Sequence, residues 1–397
     1  MDLRPKGPIF GLTLRGMLFI TALLAIGFAF VGTKVQRALD QQHFADSIVR
    51  RGGMVTKKFY GLDATQTNPD RTWFERLIDL DLDANLASVT LRGSDITDSD
   101  VARLARLPEL QWLSFDHAPI DGANLAILGN LSNLESIHFT LCDLSDEGLT
   151  VIAGLQNLKY LDIDEDDDNF FSKPKSLHKS STSRVTDEGV AHLARMRFLK
   201  HLGLSGKLFT DSNLRHLDSL SQLDSLFLRN VEVSDDGLAA IVRTAPNLKS
   251  LLLGDLLITG EGLAALTECP QLNFLRIMRC PITDEGAESI SKLTQLRTLL
   301  IEAYGTSQIT DIGLRHLGNL VNLDFLQVDG VDFTDEATRY FIGMKNLHTL
   351  TLQGGPNISF TDAALEPLKE LEHLHSVTLT PGSLSPAALR TVLRDSR

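Results

Sequence analysis

Leu272-Asn-Phe-Leu275-Arg-Ile277-Met-Arg-Cys280-Pro-Ile282-Thr283-Asp284-Glu-Gly286-Ala-Glu-Ser-Ile290 carries two periodicities in one short run. Leu275 and Ile277 alternate with Phe274, Arg276 and Met278, the spacing of a strand with one buried face. After Ile282 the pattern changes. Thr283 is a favourable helix N-cap and Asp284 complements the positive end of a helix dipole, so a short helix starts there. The same junction recurs at Ile96, Ile120, Leu144, Val185, Phe209, Val233, Ile258, Ile309, Phe333, Phe360 and Leu384, with successive spacings of 24, 24, 41, 24, 24, 25, 24, 27, 24, 27 and 24 residues. Ser or Thr follows the anchor in eleven of the twelve units and Asp comes next in nine, so one structural unit is being repeated.

A strand and a short helix repeating every 24 or so residues bury their apolar faces only against their neighbours. That period is in the leucine-rich-repeat range. The fold class expected is therefore α/β: a leucine-rich-repeat solenoid, or horseshoe, with a concave parallel β-sheet and convex short helices. Twelve strands are predicted, counting from Leu86-x-x-Val89-x-Leu91. The repeat domain is expected over residues 73–397, with an N-terminal cap at 73–85 around Trp73 and Phe74, a closing helix after Leu384 and an insertion at 165–184.

The 397 residues carry a net charge of −13, unevenly spread. Residues 1–60 hold nine Lys/Arg against three Asp, a net of +6, which leaves −19 on the remainder and excludes a nucleic-acid-binding role for the repeats. Inside the basic segment, Gly16 to Gly32 is uncharged and bracketed by Arg15 and Lys34. A basic tail at 1–15, a single transmembrane helix at 16–32 and a juxtamembrane segment and linker at 33–72 are expected. The last should hold a helix ending at Gly52-Gly53 and a short strand from Met54 to Tyr60. A cleaved signal peptide with a site near Gly27-Phe28-Ala29 is the rival reading; the retained anchor is favoured because Phe30 and Val31 continue the apolar run. The positive-inside rule, acting on Arg4, Lys6 and Arg15, gives a single-pass membrane protein with its repeats on the extracytoplasmic side.

The pattern Leu-x-x-Leu-x-Leu-x-x-Cys-x-Ile-Thr-Asp-x-Gly-Leu resembles the cysteine-containing leucine-rich repeats of F-box and ribonuclease-inhibitor-like solenoids. Cys142 and Cys280 stand at its strand-end Cys position and Cys269-Pro270 at its helix-end Cys-Pro. The chain as a whole resembles membrane-anchored leucine-rich-repeat proteins of planctomycete bacteria. That resemblance rests on Leu14-Arg15-Gly-Met-Leu, Gly52-Gly53-x-Val55, Trp73-Phe74-x-Arg76-Leu77 and Ser88-Val89-Thr90-Leu91. It implies a bacterial origin and no defined activity. A substrate-receptor adaptor role would need an F-box module, and the membrane segment occupies that place.

The sequence has no His-Glu-x-x-His, Gly-x-Ser-x-Gly, P-loop, dinucleotide fingerprint or paired Cys-x-x-Cys, so no enzyme, cofactor or small-molecule substrate is expected. An odd number of cysteines, three, cannot form a disulfide framework, and buried thiols are expected. Asp162 to Asp168 has oxygen ligands at alternate positions as a calcium loop does. It lacks the glycine at the sixth position and has Lys173 at the twelfth, so no metal is expected there.

Non-catalytic protein binding is the expected function. The three large insertions, after the strands starting at Leu158, Leu296 and Leu347, leave one edge of the solenoid, as a binding rim would. On the concave face Phe227, Leu252, Phe274, Arg276, Met278, Leu300 and Phe325 are expected to form an apolar partner-binding patch about 20 Å across. Asp116, Asp162, Asp164, Glu165 and Asp166 are expected to form an acidic patch suited to a basic partner. The alternative is a structural or spacer component of the cell envelope.

Overall fold

The computed structural model describes residues 14–57, 85–165, 184–207, 209–217, 219–330, 333–355 and 359–393. Helix α1 (Leu14–Arg50) leads into β1 (Met54–Lys57). The repeat strands are β2 (Leu86–Arg92), β3 (Trp112–Asp116), β4 (Ser136–Thr140), β5 (Tyr160–Asp164), β6 (His201–Ser205) and β7 (Ser225–Arg229). They continue as β8 (Ser250–Gly254), β9 (Phe274–Met278), β10 (Thr298–Glu302), β11 (Phe325–Asp329), β12 (Thr349–Gln353) and β13 (Ser376–Thr380). All lie in one sheet in chain order, β1 antiparallel to β2 and the twelve repeat strands parallel. The registry is one repeat per strand: Leu251, Leu275, Leu299, Leu326 and Leu350 face one another across five strands.

Those leucines are fully buried, as are the junction residues from Phe209 to Phe360 within a few per cent, and one apolar core runs unbroken from Phe44 to Val392. Leu384, in the last described repeat, is only partly buried. The helical halves begin where the Ser/Thr caps predict, the first repeat helix being α2 (Asp98–Leu104). Several are short 3-10 helices instead, as at Asp335–Phe341 and Asp362–Leu365.

The aspartate after each cap does more than face a dipole. Asp284 accepts hydrogen bonds from Thr310 N at 2.8 Å, Thr310 Oγ1 at 2.7 Å and Gly313 N at 2.8 Å, all in the following repeat. The same carboxylate-to-cap bridge joins Asp146 to Thr186, Asp211 to Ser234, Asp235 to Thr259, Asp311 to Thr334 and Asp335 to Thr361. This also explains the glycine of the Thr-Asp-x-Gly motif. A Cβ on Gly237 would lie 1.8 Å from Asp211 Oδ1, and one on Gly313 would lie 2.5 Å from Asp284 Oδ1, so in these units glycine lets the carboxylate approach; Ala337 and Ala364 hold the equivalent position beside the Asp311 and Asp335 bridges. The repeats are thus fastened by charge-assisted hydrogen bonds on the convex side as well as by the sheet.

At the N-terminal edge the structure departs from the expected segmentation. The apolar run and the juxtamembrane helix are one continuous helix, α1, with no break near residue 32. Only its second half is buried, along Ala38, Gln41, Phe44, Ala45 and Ile48, a helical stripe that covers the first repeat. β1 then pairs with β2 through Met54↔Thr90 and Val55↔Val89. Arg51, directly after α1, forms a bidentate pair with buried Asp100 of α2 at 2.9 and 3.1 Å. Asp100 also closes a capping box with Thr97. Burial alone would raise its pKa, but the Arg51 and Thr97 bonds hold it below the ordinary carboxylate value. All but Asn85 of the expected cap at 73–85, and the interior of the 165–184 insertion, lie outside the described residues.

Candidate protein interface

Alternate residues of the repeat strands form rows across the concave face. In one row Trp112, Ser136, Tyr160, His201 and Ser225 are direct neighbours; in the next are Ser114, His138, Asp162, Gly203 and Phe227. Over β2 to β7, Trp112 of the first row and all five residues of the second line a groove of about 780 Å³ that also includes Arg92, Asp116, His117, Asp164 and Arg229. Trp112 on the groove and Tyr160 two strands along the first row stand open at 36% and 43% exposure, among the largest side chains left uncovered on the sheet. Both lie on strands before those where the apolar patch was expected.

Between the aromatics is a polar cluster. Asp162 takes His201 Nε2 on Oδ1 at 2.8 Å and faces His138 Nδ1 at 3.5 Å from Oδ2. His138 Nε2 lies 2.8 Å from Thr140 Oγ1, and His201 packs edge-on against Phe227 with ring centroids 4.6 Å apart. Gly203 makes this possible, because a Cβ there would sit 1.9 Å from Asp162 Oδ1. Burial would raise the Asp162 pKa, but hydrogen bonds from both histidines reverse this and hold it well below the usual carboxylate range. Burial would likewise lower that of His138, and Asp162 overrides it upward.

The order Thr140, His138, Asp162 has the hydroxyl–imidazole–carboxylate sequence of a nucleophile with its base. The backbone amides beside it are taken up by the parallel ladder of β3, β4 and β5 rather than turned toward the groove as an oxyanion hole would need. No group of three or more His, Cys, Asp or Glu among the described residues is arranged to hold a metal ion. The thiols are equally unsuited to chemistry. Cys142, Cys269 and Cys280 are buried, and burial pushes them up to about 12, 11 and 12 respectively.

The expected acidic patch needs correction. Asp116 is bound by Arg92 at 2.6 Å and by the imidazole of His117, Asp162 lies between two histidines, and Glu165 is buried. Asp164 is half-buried and Asp166 lies outside the described residues. These carboxylates are largely matched within the molecule, so the groove is nearly neutral rather than acidic.

The expected apolar patch is smaller than its row suggests. Phe227, Phe274, Arg276, Leu300 and Phe325 are half-buried on the concave face, but Leu252 and Met278 are buried. Met278 folds into the space above Gly254 beside Arg229, which removes it from the surface. Arg276 is tied to Glu302 at 2.6 Å. At the strand ends Asp255 bridges Arg229 and Arg279, at 3.3 and 2.5 Å. On the strand-to-helix edge, where the insertions leave, Leu257 and Tyr304 are exposed at 84% and 52%.

A continuous parallel sheet of 24-residue units with a shared leucine core defines a leucine-rich-repeat solenoid. Comparison with known proteins agrees. The leucine rich repeat family matches residues 130–153 and 268–291. A solved structure of an internalin from Listeria monocytogenes strain 4b F2365 shares the fold, with a TM-score of 0.50 and 20% identity over 77% of this chain and 84% of that chain. No curated protein matches the sequence.

Proposed function

We propose that this chain is a non-catalytic, membrane-tethered protein-interaction module. Its α1 helix anchors it in a bilayer, its repeats lie on the extracytoplasmic side, and a protein partner docks on the concave face and strand-to-helix edge. The observation that carries this reading is the pair of open aromatics, Trp112 and Tyr160, on a rigid sheet. Aromatic side chains left uncovered by their own fold are the residues that dominate protein interfaces. Phe227, Phe274, Leu300 and Phe325 extend the surface toward the C-terminal repeats, and Leu257 and Tyr304 add apolar contacts at the edge.

The tether is supported by α1 itself. By length and composition Thr21–Arg50 is the one described helix able to cross a membrane, and Phe19, Ile26, Phe28 and Phe30 are each more than 60% exposed. Such side chains need an apolar surrounding that the repeats do not supply.

The test is co-purification of full-length protein from its own host. Trp112→Ser with Tyr160→Ser should reduce partner recovery at least tenfold with an unchanged melting midpoint, since interface aromatics commonly contribute about 2 kcal/mol each. Recovery unchanged by this pair and by Phe274→Ser with Phe325→Ser would favour a spacer role. Reporter fusions active on only one side of the membrane check the orientation.

A further inference from the structure

We propose that the cleft between α1 and the first repeat binds the phosphate of an anionic phospholipid headgroup. The inference rests on the tether reading above, and adds to it a specific lipid site built partly from the solenoid. The cleft, about 490 Å³, is formed where α1 leaves its apolar stretch and begins to pack on the repeats. Arg37 from α1 and Arg103 and Arg106 from the first repeat converge on it, with His43 and, among the described residues, a single carboxylate, Asp40. Asp40 is engaged by Gln36 at 3.1 Å, and Arg37 donates to Asn85 at 3.2 Å.

Arg103 and Arg106 have no carboxylate partner among the described residues. Arg103 lies over the ring of Phe44, 6.0 Å from its centroid, and so is held facing the cleft. Arg106 is exposed. Planar guanidinium groups from two elements, aimed at one cavity with an excess of positive charge, suit the oxygens of a phosphate.

The axial position favours a lipid over a soluble phosphate. Gly16 to Gly32 spans about 26 Å at 1.5 Å per residue, close to the thickness of a thin hydrocarbon core. Arg37 lies about 7.5 Å beyond Gly32 along the same helix, at the outer edge of the headgroup layer. Lys34, whose ammonium lies over Phe30 at 5.7 Å, occupies the boundary between them. Arg103 and Arg106 line the same cleft from the first repeat, Arg103 beside Phe44, two helical turns further along α1 than Arg37. The bound lipid would fix how the solenoid stands on the membrane, because Arg51 and Asp100 already lock the base of α1 to α2.

The test reconstitutes the full chain in nanodiscs of equimolar phosphatidylcholine and phosphatidylglycerol and counts lipids retained after transfer to detergent by native mass spectrometry. The wild type should retain phosphatidylglycerol in preference. Arg103→Gln with Arg106→Gln should reduce that preference roughly 30-fold, taking about 1 kcal/mol per arginine near an anionic surface. Arg103→Lys with Arg106→Lys should recover most of it, which separates charge from packing. Equal retention by wild type and the Gln pair, with the chain still resistant to alkaline extraction, overturns the lipid site alone. Displacement by millimolar glycerol phosphate points to a soluble ligand and also overturns it. Extraction of the wild-type chain by alkaline washing overturns the tether, and the lipid site with it.

Discussion

Asp284→Ala removes one carboxylate and three hydrogen bonds between two repeats, those from Thr310 N, Thr310 Oγ1 and Gly313 N. A hydrogen bond to a charged acceptor contributes about 1.5–3 kcal/mol, but water reaches this partly buried site and rehydrates the donors. The expected total is about 2–3 kcal/mol. In a solenoid that loss is felt first at the interface between the two units, because each repeat contacts only its neighbours. Hydrogen exchange on the full chain should therefore show protection falling roughly 30- to 150-fold at the Thr310 and Gly313 amides, with Leu113 and Ile137 unaffected. Asp284→Asn keeps one acceptor and should lose about half as much. Unchanged exchange at Thr310 and Gly313, or an equal loss across every repeat, would refute the claim that the aspartates fasten neighbouring units.

The histidine–aspartate cluster should give stability a defined pH window. The lowered pKa of Asp162 means its contribution is complete above the ordinary 3.8 and lost as pH falls through its folded value. The raised pKa of His138 means its contribution is complete below 6.5 and lost as pH rises through its folded value. His138→Gln should flatten the decline in unfolding midpoint above pH 6.5; an unaltered slope would contradict the assignment. Asp329 runs the other way. Burial raises it to about 6, against the Tyr304 and Ala303 amides, so the folded state holds its proton more tightly than the unfolded chain. Its contribution is complete below 3.8 and lost as pH rises through about 6. Asp329→Asn should stabilise the protein at neutral pH by about 1–2 kcal/mol, allowing for residual solvent screening, and denaturant titration would show a fall if that reasoning fails.

The repeat architecture was legible because its signals are local. Leucines at alternate positions and a Ser/Thr cap every 24 residues determine strand, helix and stacking direction without knowledge of distant contacts. What sequence reading missed depends on adjacency between repeats. Asp284 reads as a helix-dipole residue within its own unit, and its role as acceptor from Thr310 emerges only when the units are in register; the accompanying glycines were the available signal. Leu252 and Met278 share rows with exposed residues, but neighbouring strands on a curved inner face crowd their side chains together. Gly254 leaves a gap that Met278 fills. The acidic patch failed for the same reason: His138 and His201 are distant in sequence from Asp162 by different intervals, and only the sheet registry brings them together. At the N-terminus, the change from exposed to buried residues occurs inside one helix, so composition suggested a boundary that the backbone does not have.

The most direct test of the central claim is site-specific photo-crosslinking in intact cells. A photoreactive amino acid placed at Trp112, Tyr160, Phe274 or Phe325 should yield one and the same protein adduct, while Arg215 and Glu261 on the convex side should yield none. Adducts of different mass at each concave position, or equal crosslinking from the convex helices, would contradict a partner held on the concave face.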